Sequence, residues 1–255
     1  MNENTVDNKM IELFESVALL EVVHNNGNIS RGTGFFVSLR NDSSITPVMV
    51  TNNHVLKDIK TVTIYKEAGN DTVKKEKIVL DQDVEQFIIR HETKDLCMLL
   101  MGHYNNLMKD NGISLNVSYI DESIIGYERN INFFSDAMII GYPKGLSEHK
   151  SYHPFIYTGK FAYPPSHKYN DVIDMVLNVD SHGGNSGSPI YALDLKNHNM
   201  NLIGILSSGY APIINEELNL RDNLTLSIGI DVKALKDIKK KIADLYKDLT
   251  GNDID

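Results

Sequence analysis

A repeated β pattern runs through most of this chain and leaves few folds open to it. Between residues 17 and 231, short runs rich in Val, Ile, Phe, Tyr and Thr alternate with Gly, Asn, Asp and Pro. The runs are typical of β-strands and the residues between them of turns, at intervals of roughly ten residues. About a dozen such strands without intervening helices favour barrels or a sandwich over βαβ units. We therefore predict an all-β fold.

Helical periodicity is confined to the two ends of the chain. Apolar residues recur at spacings of three and four from Val6 to Phe14, and again from Val232 to Leu249. The polar stretch at residues 114–132 is typical of a linker between two halves. We therefore predict four segments: an N-terminal extension (1–16), a first half (17–120), a second half (121–232), and a C-terminal helix with its tail (233–255).

Composition excludes several classes of protein. The 255 residues carry 34 Asp and Glu against 25 Lys and Arg, and a net charge of −9 disfavours nucleic acids and anionic membranes as partners. The single cysteine, Cys97, excludes a disulfide framework, and it lies in an apolar run typical of a core strand. We expect no cofactor and no metal, because His149, His153 and His167 fit no standard ligand spacing. The N-terminus lacks the features of a secretion signal, which predicts a cytoplasmic protein.

The most specific motif is Gly-Gly-Asn-Ser-Gly-Ser-Pro at residues 183–189. Small residues around Ser186 let the backbone turn sharply, leave the hydroxyl accessible, and let successive N–H groups point at one spot. These properties favour a nucleophilic serine beside an oxyanion site. A tight hairpin turn, in which glycine supplies positive φ and serine only caps, would use the same residues.

A nucleophilic serine requires a base, and the base requires an orienting carboxylate. Among nine histidines, His54 is the best candidate because it follows the apolar residues 48–50. His182 lies only four residues before Ser186, which is too close within the same turn. Asp95 is the best carboxylate because it begins an apolar run, whereas the alternatives lie in polar stretches: Asp81, Asp83 and Glu92.

In the order His54, Asp95, Ser186, the chain resembles the trypsin-like, chymotrypsin-fold serine peptidases. Asn185 in place of aspartate, together with the lack of disulfides, resembles the bacterial branch that includes glutamyl endopeptidases and heat-shock serine proteases. The resemblance implies two six-stranded antiparallel barrels of the chymotrypsin type, to which the periodicity adds a C-terminal helix. Six motifs carry it, at residues 32–37, 51–55, 95–99, 139–143, 184–189 and 202–205.

The resemblance also implies a role for each candidate residue. Ser186 would attack the scissile carbonyl of a protein or peptide substrate, with His54 as general base and then general acid. Asp95 would stay ionised and orient His54. The backbone N–H groups of Gly184 and Ser186 would form the oxyanion hole.

Specificity is less determined by the sequence. Asp180 lies six positions before Ser186, where the resemblance implies the base of the primary pocket, with Ser181 beside it and a preference for Lys or Arg. The same residue has a second explanation. In the bacterial branch, an aspartate with a structural role lies slightly further upstream, and a shortened loop would bring such an aspartate to this position. Leu206 replaces the histidine that glutamate preference requires. The wall of the pocket and the edge that pairs with substrate would be Ser207, Ser208 and Gly209.

Control of activity in this chain is expected to differ from that of the digestive enzymes. The chain lacks the Ile-Val-Gly-Gly terminus of the digestive enzymes, so we expect control by a regulatory protein partner, by ordering of the loop at residues 183–188, or by narrow substrate choice.

One alternative function is that of a catalytically silent domain that serves as a binding module. Another is an esterase, which the order of the residues disfavours because the serine of such enzymes precedes the acid and the histidine.

Overall fold

The computed structural model describes residues 3–41, 44–67, 75–80, 82–110, 117–126, 131, 135–146, 152–193, 200–209, 213–215, 220–221 and 225–250. Within these residues lie three α-helices: α1 (Glu3–Glu15), α2 (Gly102–Asp110) and α3 (Ala234–Thr250). The strands of the N-terminal half are β1 (Val17–His24), β2 (Ile29–Asn41), β3 (Ser44–Thr51), β4 (Ile59–Glu67), β5 (Lys75–Leu80), β6 (Ile88–Arg90), β7 (Cys97–Leu100) and β8 (Ile120–Asp121). Those of the C-terminal half are β9 (Asp136–Gly141), β10 (Phe155–Phe161), β11 (Met175–Asn178), β12 (Pro189–Leu193), β13 (Met200–Gly209), β14 (Ile213–Asn215), β15 (Leu220–Arg221) and β16 (Ser227–Asp231).

The strands form two large sheets. The first has the order β5-β4-β1-β2-β3-β7-β6 with antiparallel pairing, and β8 runs parallel to β2. It is an open half-barrel within the described part of the chain. The second closes as a six-stranded antiparallel barrel in the order β10-β11-β16-β13-β12-β9, while β14 and β15 pair separately. The predicted chymotrypsin-type all-β fold with a C-terminal helix is therefore confirmed.

Alternation along the strands divides the core into three clusters. Phe36 packs inside the first sheet, whereas its neighbour Phe35 faces the second barrel and α3. On β12, Ile190 points into the second barrel and Tyr191 points out toward the first. Because successive side chains of a strand point to opposite faces, the two barrels and α3 share one apolar interface. All four of these side chains are fully buried.

The helices only partly follow the predicted pattern. On α3, Leu235, Ile238 and Ile242 are buried, as their three- and four-residue spacing predicts. The prediction of helices at the two ends alone was wrong, because α2 lies between β7 and β8. Its nine residues bury only Tyr104 and Met108, so its apolar stripe is too short to produce a periodic signal.

The remaining findings concern the length of the described helices and the predicted linker between the two halves. None of the described helices is long and apolar enough to cross a membrane. Within the expected linker, residues 117–126 are described and include β8, which pairs with β2; most of the remainder lies outside the described residues. The four segment boundaries stay predictions.

Candidate active site

The pairing of β3 with β7 brings His54 and Asp95 together. Thr51 at the end of β3 is opposite Cys97 at the start of β7, so the residues just beyond this pair meet at one edge of the sheet. His54 Nδ1 lies 2.6 Å from Asp95 Oδ2, and the His54 backbone N–H donates to Oδ1 over 2.9 Å. Asn52 Nδ2 donates to the Asp95 carbonyl over 2.7 Å. The carboxylate therefore holds both the imidazole and the backbone of His54.

Ser207 is the third hydrogen-bond partner of the Asp95 carboxylate. Its Oγ donates to Asp95 Oδ2 over 3.1 Å. Partial burial alone would raise the pKa of Asp95, but the hydrogen bonds from His54 and Ser207 and the nearby imidazole hold it below its usual value. The geometry thus keeps an ionised carboxylate beside His54. The sequence placed Ser207 only in the pocket wall and did not reveal this contact.

Ser186 lies in the loop before β12 and is placed by bonds to β13. The Gly187 N–H donates to the Leu206 carbonyl over 2.9 Å, which sets the loop beside Ser207. Ser186 Oγ donates to the Ser207 carbonyl over 3.0 Å. Among the described residues, Ser186 has no hydrogen bond to His54. Ser207 therefore contacts both Ser186 and Asp95, and the serine hydroxyl donates to its carbonyl.

Thr33 on β2 connects the first sheet to the same loop. Its N–H donates to the Ser186 carbonyl over 2.8 Å, and its Oγ1 donates to the Gly184 carbonyl over 2.8 Å. The same Oγ1 accepts from the Tyr142 N–H over 3.1 Å. Thr33 is fully buried, so all three bonds form away from water. This role could not be predicted from the sequence, because it depends on contacts across the two barrels.

The backbone of the loop leaves two N–H groups without partners. The Gly183 carbonyl accepts from the Lys144 N–H. Because this peptide is trans, the Gly184 N–H points the opposite way. The N–H groups of Gly184 and Ser186 have no acceptor among the described residues. Gly184 has a φ of +95°, and a Cβ there would overlap the Tyr142 carbonyl oxygen, so only glycine fits.

The predicted specificity residues differ in exposure, and Ser181 and Ser207 are half-buried. Asp180 has a side chain that is 63% exposed, and its Oδ2 lies 3.6 Å from His182 Nε2. Ser181 faces the end of β13, since a Cβ on Gly209 would lie 3.4 Å from Ser181 Oγ. Ser208 is exposed there. Ser181 and the last residues of β13 are therefore adjacent, while the Asp180 carboxylate is open to solvent.

His54 borders two open cavities. One, of about 750 Å³, is also lined by Asp95, Glu85 and Arg90. The other, of about 540 Å³, includes His24 from the end of β1. Space for a ligand therefore exists next to His54 in two places.

The competing candidates lie elsewhere. Burial raises the pKa of the Cys97 thiol to about 12, which suits a core residue and not a nucleophile. Glu92 pairs with Lys241 on α3, and Asp81 lies outside the described residues. Within the described chain, no group of three or more His, Cys, Asp or Glu side chains is arranged to hold a metal ion.

Comparison with known proteins gives a family and a fold. The model of the trypsin-like peptidase domain family matches residues 32–205, more than half of the chain. No curated protein matches in sequence.

Three solved structures illustrate the similarity in fold. The HtrA-type protease AlgW with tripeptide has 16% identity and a TM-score of 0.56, and the match covers 92% of this chain but only 62% of AlgW. A serine endoprotease from Yersinia pestis has 14% identity and a TM-score of 0.55, with 92% and 65% covered. The protease Anisep from Arthrobacter nicotinovorans has 14% identity and a TM-score of 0.55, with 90% and 96% covered.

Proposed function

Since the chain belongs to the trypsin-like peptidase family, a family of serine proteases, we propose that it is an endopeptidase that hydrolyses peptide bonds through an acyl-enzyme on Ser186. The observation that carries the proposal is the 2.6 Å contact between His54 and Asp95, linked through Ser207 to the loop of Ser186. This is the contact that a serine nucleophile needs for its base to be oriented. The proposal concerns this chain alone, which spans 62% of the length of AlgW.

In the proposed reaction, Ser186 Oγ bonds to the scissile carbonyl carbon while its proton passes to His54 Nε2. His54 then gives that proton to the leaving amine, and the carbon–nitrogen bond breaks. In the second half, His54 takes a proton from a water molecule that attacks the acyl carbon. It gives this proton to Ser186 Oγ as the bond between Oγ and the acyl carbon breaks and the acid product leaves. Asp95 remains ionised throughout, in keeping with its lowered pKa, and stabilises the imidazolium.

The first step requires the Ser186 hydroxyl to change its hydrogen-bond acceptor. Its proton must leave the Ser207 carbonyl and turn toward His54 Nε2 before it is transferred. Such hydrogen bonds are often absent before substrate binds and form in the complex. We propose that the substrate completes this arrangement.

Negative charge on the substrate oxygen would be stabilised by the N–H groups of Gly184 and Ser186. Their lack of acceptors among the described residues leaves both free for that oxygen. Losing one such donor in a peptidase typically raises the barrier by about 3–4 kcal/mol.

The substrate class follows from the surroundings of His54. Two open cavities border His54 and leave room there for parts of an extended polypeptide, although neither is lined by Ser186. Ser207, Ser208 and Gly209 at the end of β13 would pair with its backbone. The proposed preference for Lys or Arg through Asp180 is weak, because an ion pair with a carboxylate that is 63% exposed contributes at most about 1 kcal/mol.

A second candidate function is a binding module that is inactive until a regulatory protein partner binds. One observation favours it: Ser186 donates to the Ser207 carbonyl and has no bond to His54 within the described chain. A cytoplasmic location belongs to the same proposal, since a cytoplasmic protease would need restraint.

The deciding experiment is intact-mass spectrometry after treatment with a fluorophosphonate, with a mixed peptide library digested in parallel. We expect one added adduct on the wild type, none on Ser186→Ala, and one on the control Ser166→Ala, whose serine is exposed and contacts His167. Cleaved peptides would establish a peptidase and show the residue before the cut. Absence of both labelling and cleavage would contradict the proposal and favour the binding module.

A further inference from the structure

The backbone around Asp95 is fixed by the residues just before it. The Leu96 N–H donates to the Lys94 carbonyl over 2.8 Å, so Asp95 lies at the centre of a tight three-residue turn. The His91 N–H donates to the Leu96 carbonyl over 2.9 Å and closes the loop. Any shift of residues 91–94 would therefore move the carboxylate that holds His54.

Lys94 connects this loop to the second barrel through a buried ion pair. Its Nζ lies 2.8 Å from Asp174 Oδ1, and the Asp174 side chain is only 6% exposed. Asp174 immediately precedes β11, and its Oδ2 accepts from the Asp231 N–H over 3.2 Å. Lys168 Nζ lies 3.6 Å away on the same carboxylate. A carboxylate held by the second barrel thus determines where Lys94 can lie.

Helix α3 holds the other end of the loop. His91 Nδ1 accepts from the N–H groups of Thr93 and Lys94 over 3.2 and 3.0 Å, which makes Nε2 the protonated nitrogen. That Nε2 donates to Asp237 on α3 over 3.1 Å. Lys241, one helical turn further, pairs with Glu92 over 3.0 Å. The loop is therefore attached at one end to Asp174, just before β11, and at the other end to α3.

We propose that Lys94 and Asp174 are positioning residues of the peptidase site, and that their ion pair sets the place of Asp95 relative to His54. The proposal rests on the proposed function. Removing either partner breaks the ion pair that ties residue 94 to the second barrel, so residues 91–94 lose the contact that places them. Lys94 and Asp95 are adjacent, so a rearrangement of Lys94 is transmitted directly to the turn that presents the carboxylate.

The test uses Asp174→Asn and Lys94→Met, with Lys94→Arg as the conservative variant. We expect kcat to fall about 10- to 100-fold in the first two, since small misplacements of a catalytic group have effects of this size. KM should stay within about twofold of the wild type, and Lys94→Arg should restore most of kcat. Should Asp174→Asn lose its fold, Lys94→Met decides, because Asp174 then keeps Lys168 and the Asp231 N–H as partners.

The matched control is Glu122→Gln. Glu122 pairs with Lys239 of α3 over 2.8 Å, and the exposed fractions of 27% and 14% resemble the 25% and 6% of Lys94 and Asp174. Its ion pair does not involve residues 91–94. We expect kcat within about twofold of the wild type here. Equal losses of kcat in Glu122→Gln and Asp174→Asn would overturn the proposal, because the effect would then be general destabilisation.

A second readout does not depend on activity. The proton between His54 Nδ1 and Asp95 gives a far-downfield NMR signal, and we expect it to move or disappear in Asp174→Asn and Lys94→Met but not in Glu122→Gln. An unchanged signal and unchanged kcat in folded Lys94→Met would overturn the positioning role, as would the absence of this signal in the wild type. Failure of the proposed function has a different signature: the wild type carries the NMR signal but is not labelled by the fluorophosphonate.

Discussion

Thr33 shows how much of the site depends on one buried hydroxyl. In Thr33→Val the shape is kept, but the Gly184 carbonyl loses its donor and the Tyr142 N–H loses its acceptor. We expect a loss of about 1–3 kcal/mol in the free energy of unfolding. We also expect kcat/KM to fall roughly tenfold, because the loop of Ser186 loses the side-chain bond from residue 33 and keeps only its backbone bonds. Urea unfolding and peptide hydrolysis would measure these effects; Thr33→Ser keeps the hydroxyl, and a loss as large there would contradict the explanation.

Gly184 and Gly183 form a matched pair for the oxyanion site. A Cβ at Gly184 would overlap the Tyr142 carbonyl and lie 2.7 Å from the Gly145 amide nitrogen, whereas a Cβ at Gly183 meets nothing within 4 Å. We expect Gly184→Ala to lower the rate of fluorophosphonate labelling at least 100-fold, as loss of one oxyanion donor does. Gly183→Ala should label at nearly the wild-type rate. Similar rates in the two variants would exclude Gly184 from the oxyanion site.

At the level of residues, the sequence revealed those candidate site residues that have a distinctive local sequence. His54 after an apolar strand, Asp95 before another, and Ser186 among glycines each have a distinctive neighbourhood, and the structure brings the first two into contact. The hydroxyl of Thr33 has no such neighbourhood, because its partners lie more than 100 positions away. The exposure of Asp180 was equally hidden, since a position counted from the serine does not reveal solvent access.

The buried apolar side chains of helix α3 lie in its first nine residues, among the side chains that the structure describes. Ile238 is fully buried, whereas Leu245, on the same predicted stripe, is 45% exposed. We expect Ile238→Ala to lower the free energy of unfolding by about 2–5 kcal/mol, the usual result for a core isoleucine. Leu245→Ala should change it by less than about 0.5 kcal/mol, because it leaves no cavity. Thermal or urea unfolding of the two variants checks the difference, and equal losses would mean that the whole stripe is packed.

At the level of elements, strands with alternating or continuous apolar residues could be predicted from the sequence, whereas the short elements could not. The predicted β pattern between residues 17 and 231 begins where β1 begins and ends where β16 ends. The two-residue strand β8 carries no pattern, because its position depends on pairing with β2 far away in sequence. Helix α2 was missed for a related reason: two buried side chains are too few for a period.

At the level of the whole molecule, the sequence predicted two barrels but not how they are joined. The joints are single polar contacts between distant positions, such as Thr33 with Gly184 and Lys94 with Asp174. No spacing rule encodes these pairs, since either partner alone is an ordinary polar residue. The apolar interface between the barrels was easier to predict, because apolar residues on both faces of β2 and β12 require a second buried surface.

The pH dependence of stability in acid follows from carboxylates whose pKa values are lowered in the folded state. The Arg40 guanidinium and the Ser123 amide hold the pKa of Asp121 at about 2, and the pKa of Asp95 is also lowered. Unfolded carboxyls titrate near pH 4, so between about pH 4 and 2 the unfolded chain binds more protons than the folded one. The free energy of unfolding should hold its value above this window and fall as the pH drops through it. Urea unfolding at pH 5 to 2 should show a shallower fall for Asp121→Asn, and an equal fall would mean that Asp121 does not contribute.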